Sequence, residues 1–150
     1  MVHLMSEEAK LREELERYFV ELQNLQAQYE ALKSGLDALV SLLNEARIVR
    51  EELKTLSTLS KGEKILVPLG SRVFVEAGII DPSKILYNLG AGIYAILKPA
   101  EAEEKLVEYE KDLSEDLGKV QKELAEVSRK ISIIQGAIKR IQEKLAEKRK

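Results

Sequence analysis

The sequence predicts a mainly α protein: a long antiparallel coiled-coil hairpin with two β-hairpins at its base, whose strands join those of other subunits in a shared β-barrel or sheet. Three observations carry that expectation. Apolar residues step by four and three through Leu11, Leu15, Tyr18, Leu22, Leu25, Tyr29, Leu32, Leu36, Leu39 and Leu43, and again through Leu113, Leu117, Val120, Leu124, Val127, Ile131, Ile134, Ile138, Ile141 and Leu145. Between the two arrays, β-branched residues and turn signals replace the heptads. That centre also holds more apolar side chains than a few short strands can bury alone. A seven-residue apolar repeat makes helices supercoil around a partner helix. Two such arrays, separated by a compact reversal, most simply pair with each other.

Composition narrows the function classes. The 150 residues fit a single domain over 1–150, and 33% of them are charged, as a solvated coiled coil requires. The absence of cysteine excludes disulfides, zinc fingers and thiol catalysis. A net charge of -2 gives no basic footprint for nucleic acid. No apolar run reaches membrane length, and residues 1–10 lack the basic start and apolar stretch of a signal peptide. The expectation is a cytoplasmic protein with neither nucleic acid nor membrane as partner.

The first helix is expected over 6–58. Ser6-Glu7-Glu8 supplies a cap and acidic first-turn side chains, and Ser60-Lys61-Gly62 ends the pattern. Leu15, Leu22, Tyr29, Leu36 and Leu43 take a positions, and Leu4, Leu11, Tyr18, Leu25, Leu32, Leu39, Ala46 and Leu53 take d. About 50 helical residues at ~1.5 Å each would make an arm of about 75 Å. The second helix is expected over 100–148, after Pro99, with more Val and Ile in its seam. In antiparallel layers a meets d: Leu15 with Ile141, Leu22 with Ile134, Tyr29 with Val127, Leu36 with Val120 and Leu43 with Leu113. A slip of one heptad also matches a to d. Two core positions, Arg50 and Glu110, carry charge near the base. Either they bridge the seam and help fix its register, or both reach water where the helices splay. Acidic Glu7, Glu8, Glu13, Glu14 and Glu16 would face basic Lys139, Arg140, Lys144, Lys148, Arg149 and Lys150, a bias that helix dipoles alone also produce.

The oligomerisation body occupies 63–98, with strands expected at Lys64–Leu69, Arg72–Ile79, Lys84–Asn88 and Ile93–Leu97. Gly70-Ser71 suits a two-residue turn, Asp81-Pro82-Ser83 a connecting turn, and Gly90-Ala91-Gly92 a second hairpin loop. Pro68 belongs at an edge or bulge, because it cannot donate to a ladder. Val67, Leu69, Val73, Val75, Ile79, Ile85, Tyr87, Tyr94 and Ile96 are the residues expected to join subunits. Four uncovered strands leave apolar faces and edges unsatisfied, which is the argument for assembly. The competing arrangement, a small sheet packed on the helix base, is disfavoured because the apolar stripe of the helices is already used.

No chemistry-bearing constellation emerges. His3 is the single histidine, and without cysteine it cannot build an ordinary transition-metal site. Gly90-Ala91-Gly92 lacks the lysine and hydroxyl residue of a phosphate loop, and a strand rather than a helix follows it. The expectation is a protein without enzymatic activity, cofactor or metal.

The order helix, two hairpins, helix, with Val67-Pro68-Leu69-Gly70 opening the centre and Leu89-Gly90-Ala91-Gly92-Ile93-Tyr94 closing it, resembles the alpha subunits of archaeal-type prefoldin across essentially the whole chain. Two hairpins suit the alpha type, since beta-type subunits typically carry one. Ala95-Ile96-Leu97 after Tyr94 is more apolar than the family's usual charged continuation.

The resemblance implies an ATP-independent chaperone subunit. Two alpha and four beta subunits would join through β-barrels into a hexamer, capture unfolded proteins between the arm tips and deliver them to a group II chaperonin. Weak apolar contacts from several arms would sum to useful avidity. At the tips, Val2, Leu4, Met5, Leu11, Ile141 and Leu145 are the residues this implies for client contact, with Leu15 and Ile138 staying in the seam. A filament-forming structural protein and a tethering coiled-coil adaptor are the alternatives.

Overall fold

The computed structural model describes residues 6–149. In chain order it comprises α1 (Glu7–Leu56), β1 (Lys64–Pro68), β2 (Phe74–Gly78), β3 (Ile85–Gly90), β4 (Ile93–Leu97) and α2 (Pro99–Lys148).

Local chemistry sets the helix ends. The Ser6 hydroxyl accepts from the Ala9 N–H at 3.1 Å, and the Ser6 carbonyl takes the first helical bond from Lys10. At the far end of α1, the Ser57 and Thr58 hydroxyls donate to the carbonyls of Lys54 and Thr55, both at 2.6 Å. The first satisfies an acceptor left open by the last turn, and the second joins the Thr58 N–H on the Thr55 carbonyl. Pro99 is itself the first residue of α2, where its missing N–H costs nothing. Glu101 reaches back to accept from the Lys98 N–H at 3.3 Å, which is half of a capping box.

The chain divides into two compact units. In the first, built from residues up to Leu39 and from Asp116 onward, the two helices bury Leu25, Val127, Ile134 and Ile138. Leu15, Tyr18, Leu22, Tyr29, Leu32 and Ile131 pack around them. All of these are heptad a or d positions. Where α1 begins and α2 ends, Lys148 Nζ lies 2.7 Å from Glu7 Oε2. A slip of one heptad would move these two residues apart by about 10 Å.

The second unit, Val40–Glu115, holds the remainder of both helices and all four strands. β1 pairs with β2 and β3 with β4, each pair an antiparallel two-stranded sheet. Leu53, Ala102 and Leu106 form its buried cluster, and Ile85, Tyr87 and Leu97 pack against it. One face of the second hairpin therefore does lie on helix residues, the arrangement that the sequence argument disfavoured. The helix stripe is wide enough here because small Ala102, only 1% exposed, lets the sheet approach. Ile85 and Tyr87, expected at a subunit interface, are consequently used inside the chain.

Both hairpin loops differ from expectation. In the first, the Leu69 N–H donates to the Val73 carbonyl at 2.8 Å and Pro68 lies opposite Phe74, so the loop is Gly70-Ser71-Arg72. This register sets Ile65 against Ala77 and Val67 against Val75. A two-residue turn would have set Ile65 against Glu76, a poorer cross-strand pair. In the second, pairing continues to Gly90 opposite Ile93, leaving Ala91-Gly92 as the turn. Their φ values of 52° and 76° are those of a type I′ turn, which matches the twist of the strands. The register shifts between Asn88 and Gly90, where Gly90 has φ 99° and its N–H donates to Asn88 Oδ1 at 2.8 Å.

Candidate assembly surface and helix-terminal site

Pairing fixes which strand residues share a face, because side chains alternate along each strand. In the second hairpin, Ile85, Tyr87, Ala95 and Leu97 face the helices. Leu86 opposite Ile96, and Asn88 opposite Tyr94, form the other face. Leu86 is 71% exposed and Ile96 68%. The first hairpin sets Ile65, Val67, Val75 and Ala77 on one apolar face, and Leu66, Pro68 and Phe74 with Lys64 and Glu76 on the other. Leu69 and Val73 flank its loop, both exposed.

Of the residues expected to join subunits, Leu69, Val73, Val75, Tyr94 and Ile96 are exposed, Val67 and Ile79 are half-buried, and Ile85 and Tyr87 face inward. Leu66, Phe74, Leu86, Leu89, Ile93 and Ile80, outside that expected set, are exposed as well. Strict alternation from Ile65 and Ile85 would have found Leu66 and Leu86. Exposed apolar patches of this kind mark surfaces that other chains cover.

A groove of about 640 Å³ opens beside the second hairpin. Leu42, Glu45, Ala46 and Val49 of α1, Leu106 and Tyr109 of α2, and Leu86 to Gly90 form its walls. Burial pushes the Tyr87 phenol above its ordinary range, with Tyr109 and Glu108 adding to the effect. Nearby, Glu110 is buried at 8% exposure, with Arg50 Nε 3.3 Å from its Oε2 and Arg47 Nε 3.8 Å from its Oε1. Asp81 accepts from the Ser83 hydroxyl at 2.6 Å and the Ser83 N–H at 2.9 Å, which holds its carboxyl below the usual range.

At the helix-terminal end of the other unit, the Lys148 ammonium donates to Glu7 and holds that carboxyl below the usual carboxylate range. Leu11 and Leu145 are half-buried. Ile141, expected to meet clients, is instead a seam residue at 6% exposure. Its a-to-d partner position keeps it inside as long as the last layers are closed. Val2, Leu4 and Met5 lie outside the described residues.

The described residues contain no group of His, Cys, Asp or Glu able to hold a metal ion. None of the described helices is long and apolar enough to cross a membrane. What this surface offers is apolar area and backbone hydrogen-bonding edges, the currency of protein association rather than of bond-making chemistry.

Comparison with known proteins agrees with this layout. The family described as "Prefoldin subunit" matches residues 18–144. The Prefoldin subunit alpha of Pyrococcus horikoshii is 31% identical over 136 residues, covering 85% of this chain and 91% of that one. The Prefoldin subunit alpha of Metallosphaera sedula is 36% identical over 110 residues, covering 67% and 75%. Among solved structures, filamentous PFD of Methanocaldococcus jannaschii superposes with a TM-score of 0.67 at 28% identity, covering 77% of this chain and 95% of that one. With paired heptad helices, two hairpins between them, and a match that runs through both helices and the whole β centre, the chain belongs to the prefoldin family, on the alpha-subunit side.

Proposed function

We propose that this chain is a subunit of an ATP-independent holding chaperone in the cytoplasm. It would assemble with beta-type subunits, two alpha to four beta, capture unfolded proteins at the ends of its coiled coil, and pass them to a group II chaperonin. The family is one of chaperones, and its alpha subunits form complexes with other prefoldin subunits. The observation that carries the reading is the apolar β centre. Leu66, Leu69, Val73, Phe74 and Val75 of the first hairpin, and Leu86 and Ile96 on the outer face of the second, stand exposed. A surface of that kind is stable in water only when other subunits bury it.

Capture would use Leu11 and Leu145, together with Val2, Leu4 and Met5, while Ile141 would contribute only if the last seam layers open. The test is light scattering of chemically unfolded proteins diluted into nucleotide-free buffer, with the chain supplied as its complex with a beta-type subunit. Suppression of aggregation for unrelated clients, lost when both helix ends are trimmed from an intact complex, is the expected result. Undiminished suppression by the trimmed complex would reject capture at the ends.

One observation favours a second reading. The similar M. jannaschii structure is of a filament, and a β centre that pairs end to end would polymerise rather than close. Mass separates the two: a closed hexamer has one defined value, whereas a filament grows with concentration.

A further inference from the structure

We infer that the ion pair between Glu7 and Lys148 is an autoinhibitory latch, which closes the last apolar layers of the seam against a client and opens to present them. The inference rests on the reading that clients are captured at the helix ends, and it adds how that site is regulated. Glu7 is the first residue of α1 and Lys148 the last of α2, and Nζ lies 2.7 Å from Oε2. The pair therefore sits outside the final apolar layers. Inward of it, the heptad register sets Leu11 with Leu145 and then Leu15 with Ile141. Burial falls off toward the end: Ile141 is buried, whereas Leu11 and Leu145 are half-buried. A gap of about 320 Å³ remains between the helix ends, where Leu11 is the one apolar residue among Glu7, Lys10, Lys144, Glu147 and Lys148. Charge rather than close packing shuts the last layer.

The other complementary charges at this end do not shut it. Glu8 pairs within its own helix with Arg12. Among the described residues, Glu7–Lys148 is the only ion pair that joins the two helices in this unit. Its strength suits a latch. The Glu7 side chain is 86% exposed and that of Lys148 35%, so water and salt screen the attraction. Such a pair favours the closed ends by only a few-fold, and burying even one leucine against a client outweighs it. A client that covers Leu11, Ile141 and Leu145 together can therefore open ends that close again once it leaves.

Charge reversal in the full-length chain, assembled with a beta-type subunit, tests this. Glu7→Lys and Lys148→Glu each replace attraction by repulsion, and they shift net charge in opposite directions. Both should lower the complex concentration that half-suppresses aggregation by about threefold. The clients are a basic and an acidic protein, reduced lysozyme and reduced α-lactalbumin, each diluted from guanidinium. Both variants should also raise the fluorescence of Nile red, an uncharged apolar dye. The exchange Glu7→Lys/Lys148→Glu restores the pair and should move both readings back toward wild type, in part only, because helix dipoles disfavour the exchanged charges. Locking the ends should act in the opposite sense. Glu7→Cys/Lys148→Cys chains, the sole thiols in a protein without native cysteine, joined by a bis-maleimide should capture less than wild type. Single reversals that leave capture unchanged, or that move it in opposite directions according to client charge, overturn the latch. So does a cross-linked chain that captures normally. If trimming both helix ends abolishes capture in those cases, capture at the ends stands without a latch. If trimming also has no effect, both readings fall.

Discussion

Glu110 occupies a heptad core position and carries charge into it. It is buried between two guanidinium groups, with Arg50 on one carboxylate oxygen and Arg47 on the other. Neither Arg50 Nε nor Glu110 Oε1 completes a hydrogen bond, so attraction rather than hydrogen-bond geometry holds the group. Removing the anion leaves Arg50 half-buried without a counter-charge. The side chain of Arg50 is 31% exposed and can turn to water. Glu110→Ala should therefore cost about 1–3 kcal/mol, below the range for a fully enclosed pair. Arg50→Met together with Glu110→Leu should recover most of that loss, because apolar replacement removes the desolvation cost on both sides. Urea unfolding of the four species of the cycle measures it, and a coupling energy near zero would show that the pair does not act as a unit. Ala91 is a second residue under constraint, holding φ 52° in a turn where side chains other than Asn and Asp are strained. Ala91→Asn should raise stability by about 0.5–1 kcal/mol, read as a higher denaturation midpoint with an unchanged slope.

At the scale of elements, the ends of α1 and α2 are tied by Glu7 and Lys148. The Glu7 carboxyl is held below its ordinary range by the Lys148 hydrogen bond and charge. Its contribution is therefore complete above the unfolded carboxylate value and disappears as pH falls through the lowered folded value. Amide-exchange protection in the first turn of α1 should hold steady at neutral pH and decline in the acid range. In Lys148→Met it should be low at both, and added salt should weaken the wild-type effect because the pair is exposed. Protection indifferent to the substitution would mean that the seam alone secures the ends. The helices were legible because a heptad pattern repeated many times along each chain segment outweighs any one exception. Even Glu110 did not disturb it. The hairpin loops were less legible, since a one-residue change in closure re-pairs every residue behind it. Gly70-Ser71 looked like a turn, but cross-strand matching of Ile65 with Ala77 and Val67 with Val75 decided the register. Which face of the β centre stays free was hidden for a different reason. It depends on Ala102, a small residue on the helix that carries no signal about sheets until the chain is folded.

For the whole molecule, the second hairpin separates folding from association, since its two faces have different neighbours. Ile85 and Tyr87 pack on Leu53, Ala102 and Leu106 within the subunit, whereas Leu86 and Ile96 lie on the opposite face and stand exposed. Substitutions on the two faces should therefore fail in different ways. Ile85→Ala removes partly buried methyl groups and should lower the subunit's own stability by about 1–3 kcal/mol, while any complex that still forms keeps the normal subunit count. Leu86→Glu with Ile96→Lys changes only surface in the isolated chain, so unfolding should shift by no more than about 0.5 kcal/mol. If subunits bury that face against each other, the paired substitution should abolish or greatly weaken assembly, since it desolvates two charges at the contact. Native mass spectrometry of the complex and thermal unfolding of the isolated chain, run on both variants, give the four readings needed. A Leu86→Glu/Ile96→Lys chain that assembles normally would place the subunit contact elsewhere, on the exposed apolar residues of the first hairpin. A chain that unfolds would show the outer face to be structural after all. Only loss of assembly from a stably folded subunit fits a protein whose β centre is half core and half interface.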